Sequence, residues 1–188
     1  MSQQELLTKV AQVLDVLGID YMITGSIASS LHGEPRSTHD IDIVVHLPPE
    51  AVTRLLQAFP EPEYYLAEES VREALRQRSM FNLLQVAEGE KVDFWILTDE
   101  PFDRARFARK RVEDLFGMRL KVSAPEDTIL VKLRWSKMSG GSEKQMTDAL
   151  RVLEVQRDQL DMNYLQEWSV KLGVHDLWQL LLAQAKPL

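Results

Sequence analysis

Hydrophobic positions along the chain alternate between helical and strand spacing. Leu6, Leu7, Val10, Val13, Leu14 and Leu17 recur at helical intervals over 3–17, and Gly18 ends that run. Tyr21–Thr24 is a short β-prone stretch broken by Gly25-Ser26. A two-turn helix is predicted over 27–32, with Gly33 as a helix stop at positive φ. Glu34-Pro35 turns the chain, and 40–45 (DIDIVV) returns as a strand. A helix over 50–59 carries Val52, Leu55, Leu56 and Phe59 on one face and is stopped by Pro60 and Pro62. Tyr64-Tyr65-Leu66 reads as an edge strand and 69–78 as a helix.

Strands are predicted at 81–87 and 91–97, joined at Glu88-Gly89-Glu90. A helix from Pro101 to Lys110 precedes a second hairpin, 111–116 and 118–122, turning at Gly117. From Ser123 the pattern is helical throughout. Ser123 or Ala124 caps a helix with Pro125 in its first turn, and Ile129, Leu130, Leu133 and Trp135 face the core. A helix at 143–156 has Met146, Ala149, Leu150 and Leu153 as its stripe, with Lys144 and Asp148 as a surface i,i+4 pair. Helices at 161–172 and 174–184 flank Gly173, with Trp168, Leu172, Leu177, Leu180 and Leu181 as packing residues. The expected fold class is therefore α+β: a mixed β-sheet flanked by helices over 1–122, and a helical C-terminal lobe over 123–188.

Composition narrows the function. The net charge of −7 argues against a protein that coats nucleic acid, although it leaves room for a local basic patch. The basic run 104–111 (RARFARKR) reads first as a solvated helical face and second as a contact for a phosphate-rich acceptor. The chain has no cysteine, which excludes disulfides and thiolate metal sites and fits a cytoplasmic setting. The first residues lack a secretory pattern, and no apolar run approaches membrane-spanning length.

Two features carry chemistry. Gly25-Ser26 lies at a strand-to-helix junction, where glycine admits close approach of a ligand and the helix start offers free N–H groups to a phosphate. A plain capping serine would look the same. Asp40 and Asp42, at i and i+2 of a strand, share one face. Two carboxylates about 5 Å apart repel by about 3 kcal/mol at an effective dielectric near 20, a cost that a divalent cation removes. Two solvated aspartates on an exposed face are the simpler alternative. The four histidines are scattered without zinc spacing, and His39, next to Asp40, points to the other face. Neither a dinucleotide fingerprint nor a P-loop is present.

Together, TGS…RSTHDIDI resembles the nucleotidyltransferase superfamily, which has the polymerase-β-like fold and a Gly-Ser…Asp-x-Asp signature. Arg36 and Thr38 resemble the AbiEii-like toxin branch and related small bacterial transferases. The resemblance implies a triphosphate held at Gly25 and Ser26 and metal held by Asp40 and Asp42. A third carboxylate on a later strand would serve as metal ligand and general base, and Asp93, in VDFWIL, fits that place. On the residues alone Asp93 is equally an aspartate on the wet face of a strand. Asp99 and Asp103 fit less well. Lys132, in APEDTILVKLRW, resembles a phosphate-binding lysine of the same branch, and otherwise reads as a lysine snorkelling from the core. Arg36 either pairs with a phosphate or braces its loop. The branch's Lys/Arg-Asp-x-x-Asp pattern is met here only in part, since Gln145 stands where its first aspartate would be.

The implied function is metal-dependent transfer of a nucleoside monophosphate from an NTP, with release of pyrophosphate. Two Mg²⁺ ions are expected, with Mn²⁺ as a substitute. Acceptors to consider are tRNA or another RNA, a protein hydroxyl, or a small molecule such as an aminoglycoside. The alternative is a non-catalytic nucleotide-binding protein, antitoxin-like or regulatory, that keeps the fold.

Overall fold

The structure is a computed structural model that describes residues 1–38 and 40–186; His39, and with it the reading of its side chain, lies outside the described residues. The chain forms two compact units, Met1–Thr24 with His39–Val122, and Gly25–Thr38 with Ser123–Leu188.

The first unit is built on a seven-stranded sheet. Its strands are β1 (Asp20–Thr24), β2 (Ile41–His46), β3 (Tyr64–Tyr65), β4 (Met80–Gln85), β5 (Glu90–Ile96), β6 (Arg111–Leu115) and β7 (Met118–Val122), in the order β3-β4-β5-β2-β1-β7-β6. β2/β5 and β1/β7 are parallel and the other pairs antiparallel, so the sheet is mixed. Alternation sorts its two faces. Tyr21, Ile23, Ile41, Ile43, Val45, Phe81, Leu83, Val92 and Phe94 are buried on one face. Helix α1 (Gln3–Leu17) lies against β1 and β5. On the other face Met22 and Val44 pack with Trp95, Leu97 and Phe107 of α5 (Pro101–Ala108).

Local chemistry explains the element ends. Ser2 and Glu5 form a reciprocal capping box at the start of α1, and Gly18, at φ 69°, closes it in the left-handed region. The β6–β7 turn is Phe116-Gly117, both at positive φ (56° and 74°), the backbone a two-residue hairpin needs. Between β2 and β4 lie a 3-10 turn (Pro49–Ala51), α3 (Val52–Ala58) and α4 (Glu68–Gln77).

The second unit is helical: α2 (Gly25–His32), α6 (Pro125–Met138), α7 (Glu143–Gln156), α8 (Met162–Lys171) and α9 (His175–Gln184). α2 packs on α6 and α7, which pack on each other. Three details differ from the sequence expectations, each for a physical reason. Gly33 is not at positive φ; it is glycine because a Cβ there would stand 3.0 Å from the Ser29 carbonyl and 3.0 Å from the Val152 amide. The inward face of α7 is Asp148, Ala149, Val152 and Leu153, while Met146 and Leu150 sit at its margin, because Asp148 turns inward to two cations. Trp135 and Leu180 are 42% and 47% exposed: α6 turns Lys132 and Ser136 inward instead, and on α9 Trp178 and Leu181 fill the core. No described helix is long and apolar enough to cross a membrane.

Candidate active site

In the first unit one row of residues crosses four strands. Thr24 of β1 faces Asp42 of β2, Asp42 faces Asp93 of β5, and Asp93 faces Asn82 of β4. Asp42 and Asp93 are thus register partners on adjacent strands and point to the same face. Like charges directly opposite one another destabilise a sheet, so this pair needs support. The Trp95 indole Nε1 donates to Asp42 Oδ1 at 3.2 Å. Asn82 Nδ2 donates to Asp93 Oδ1, and Lys91 Nζ lies 3.0 Å from the same oxygen. Lys91, Asp93 and Trp95 are alternate residues of β5, which is why all three share this face, while Val92 and Phe94 between them are fully buried.

Asp40 is exposed and stands one residue before β2, just outside the strand expected to contain it. The difference is a single residue at a strand end. The carboxylates of this row offer oxygen ligands in a chain without cysteine, a set that suits a hard cation such as Mg²⁺. Asp42 and Asp93 are register partners, and among the described residues no group of three or more His, Asp or Glu that could hold a metal ion comes together.

The second unit holds the other expected residues. Gly25 opens α2 at φ 64°, a backbone that favours glycine over any residue with a Cβ. Ser26 follows and is buried. Its Oγ accepts a hydrogen bond from Arg36 Nη2 at 2.9 Å. Arg36 also forks onto Asp148, with Nε 2.8 Å from Oδ1 and Nη2 2.8 Å from Oδ2, and Nη1 donates to the Ser37 carbonyl at 3.3 Å. Lys132 Nζ reaches Asp148 Oδ2 at 2.7 Å, so this lysine is buried and ion-paired rather than snorkelling to solvent. Ser29 Oγ donates to the Ser26 carbonyl at 3.1 Å. Thr38 is half-buried in the loop that follows Arg36.

Asp148 is the residue the sequence reading misplaced. It is 6% exposed and joined to Arg36 and Lys132, not a surface partner of Lys144. Burial alone would push its carboxyl up; Arg36 and Lys132 outweigh that and hold it below the ordinary carboxylate value. No local spacing signals this arrangement, because the partners lie 112 and 16 residues away. His32, also buried, is occupied structurally, its Nε2 lying 2.7 Å from the Ser123 carbonyl.

The basic run is a face of paired charges. Arg104 meets Asp99, Arg106 Nε lies 2.9 Å from Asp103, and Lys110 Nζ lies 2.9 Å from Asp20. Asp99 and Asp103 are thereby accounted for as ion-pair partners.

No protein-family model and no curated protein sequence matches this chain. Solved structures do. The antibiotic-resistance factor ANT(2″)-Ia in complex with adenylyl-2″-tobramycin superposes with a TM-score of 0.60 at 14% identity, covering 92% of this chain and 98% of its own. An antigenic nucleotidyltransferase-like protein from Paracoccidioides brasiliensis gives 0.58 at 22% identity, covering 98% and 94%. The lincosamide antibiotic adenylyltransferase LnuA, with lincomycin bound, gives 0.56 at 13% identity, covering 81% and 97%. The mixed sheet and its helices are therefore those of a nucleotidyltransferase-like fold.

Proposed function

We propose that the protein is a metal-dependent nucleotidyltransferase. The observation that carries the reading is the Asp42–Asp93 register pair, two opposed carboxylates supported by Trp95, Asn82 and Lys91. Opposed like charges cost a sheet stability, and a bound cation removes that cost. The nucleotidyltransferase-like fold supports the same reading.

In this proposal Asp40, Asp42 and Asp93 hold Mg²⁺. When bound, the ions supply positive charge to the reacting phosphate. Gly25 and Ser26, at the start of α2, bind the β- and γ-phosphates through backbone N–H groups and the Ser26 hydroxyl. Lys132 adds a cation, and Arg36 and Thr38 complete the set. A hydroxyl oxygen of the acceptor attacks the α-phosphorus, its proton passes to the Asp93 carboxylate, and the α–β phosphoanhydride bond breaks to release pyrophosphate. The acceptor is an RNA such as a tRNA, a protein hydroxyl or a small molecule, and Arg36 and Thr38 favour kinship with the AbiEii-like branch.

The test is incubation with each α-labelled NTP, Mg²⁺ and a cell extract, followed by separation of RNA, protein and metabolites. Label should enter one of these fractions, and Asp42→Asn and Asp93→Asn should abolish it. Nucleotide binding without any transfer would overturn the catalytic reading in favour of a regulatory nucleotide-binding protein.

A further inference from the structure

Asp148 has no place in the chemistry proposed above, yet it is buried and hydrogen-bonded to three side chains of the helical unit. Its two oxygens accept from Arg36 Nε and Nη2 and from Lys132 Nζ, all within 2.8 Å, and Ser29 Oγ lies 3.5 Å away. It is buried, so its action on any ligand must pass through these partners.

We propose that Asp148 is a positioning residue for phosphate binding: it fixes the Arg36 fork so that Arg36 donates into Ser26 Oγ and turns the Ser26 hydroxyl into a donor. The inference rests on the nucleotide-binding reading and deepens it. A hydroxyl has one proton and two lone pairs, and a guanidinium has donors only. Arg36 Nη2 therefore takes a lone pair of Ser26 Oγ, and the Ser26 proton must point elsewhere. A triphosphate presents only acceptors, so a serine poised to donate matches it. The fork sets the geometry: two parallel N–H···O bonds fix the guanidinium plane, which a lysine could not do. The same carboxylate holds one of the three Lys132 ammonium donors, which fixes the directions of the other two.

The test is a double-mutant cycle read by calorimetry, which separates action through Ser26 from a general effect on the fold. The probes are non-hydrolysable α,β-methylene analogues of ATP, CTP, GTP and UTP with Mg²⁺. Asp148→Asn should weaken binding of the preferred analogue tenfold or more in the wild-type background, and less than threefold when Ser26→Ala is already present. Equal losses in the two backgrounds, or unchanged affinity in Asp148→Asn, would overturn the proposal and leave Asp148 a fold-stabilising residue. Should Asp148→Asn not fold, Arg36→Lys runs the same cycle. It keeps the charge and loses the fork, and the same non-additivity is expected, with additivity again overturning the inference. If the wild type binds none of the four analogues, the nucleotide reading itself falls, an outcome distinct from any difference among the variants.

Discussion

Arg36 and Asp148 meet at both ends of the fork, Nε to Oδ1 and Nη2 to Oδ2 at 2.8 Å each, across 112 residues of sequence. The pair ties the loop after α2 to the inward face of α7. Its acid dependence follows. The Asp148 carboxyl is held below its ordinary value in the folded state, so its contribution to stability is complete above the unfolded value of about 3.9. That contribution is lost as pH falls through the folded-state value. Urea unfolding at pH 6 should show Asp148→Asn about 2–3 kcal/mol less stable than wild type, somewhat under the range for a fully buried pair because Arg36 is partly exposed. The gap should narrow below pH 4. A gap independent of pH down to 3 would mean the loss is steric and not ionic.

Gly33 gives a purely steric prediction. The space for its Cβ is filled by backbone, Ser29 O and Val152 N at 3.0 Å and Arg151 C at 3.1 Å, none of which can swing aside as a side chain would. Gly33→Ala should therefore cost about 1–3 kcal/mol, as other overpacking changes do. Since φ at Gly33 is not positive, the cost should come from contact and not from backbone strain. Denaturant melts of Gly33→Ala check it; stability equal to wild type would show that α2 and α7 are not this closely apposed.

These two residues also mark what the sequence could and could not reveal. Elements were legible because their signals are local: the 3.6-residue stripe of α1, its Gly18 stop, the two-residue loop at Gly117 and Pro125 at the first turn of α6 all lie within a few residues of what they specify. The strand pair of the Asp-x-Asp motif was legible for the same reason. Asp148 was not, because an aspartate four residues after Lys144 looks the same whether it faces water or a distant arginine. An outward Asp148 also turns the expected stripe of α7 toward Met146 and Leu150, whereas the inward face is Asp148, Ala149, Val152 and Leu153. Trp135 reads as core for the converse reason: hydrophobicity outweighs Lys132 and Ser136, yet these turn inward, Lys132 to the buried Asp148 and Ser136 to the Ser142 carbonyl.

Ser26 separates ligand binding from folding. Its hydroxyl accepts from Arg36 within the protein, and losing that bond should cost Ser26→Ala about 1 kcal/mol, typical of a single hydrogen bond. If the hydroxyl donates to a phosphate, the variant loses a charge-assisted bond as well, and affinity for Mg²⁺–NTP should fall by about tenfold or more. Calorimetry on the folded variant distinguishes the two. Unchanged affinity would reduce Ser26 to a brace for Arg36.

Asp42→Asn should change stability and ligand response in opposite directions. Asp42 stands directly opposite Asp93, and repulsion between such carboxylates amounts to a few kcal/mol before screening. Lys91 and Asn82 offset it from the Asp93 side and Trp95 from the Asp42 side, so the relief on removing one charge should be about 1 kcal/mol. The asparagine retains a carbonyl oxygen for the Trp95 indole, so that bond need not be lost. Without metal, the variant should therefore melt at or above the wild type. With Mg²⁺ and NTP at a hundredfold excess over Kd, the wild type should gain about 2.7 kcal/mol. The variant should gain much less, because an amide oxygen is a poorer ligand than a carboxylate for a hard cation. Paired thermal melts, with and without Mg²⁺–NTP, measure both effects. If the substitution destabilises the metal-free protein and leaves the ligand-induced shift intact, Asp42 serves the sheet and not a cation, and the proposal loses its central pair.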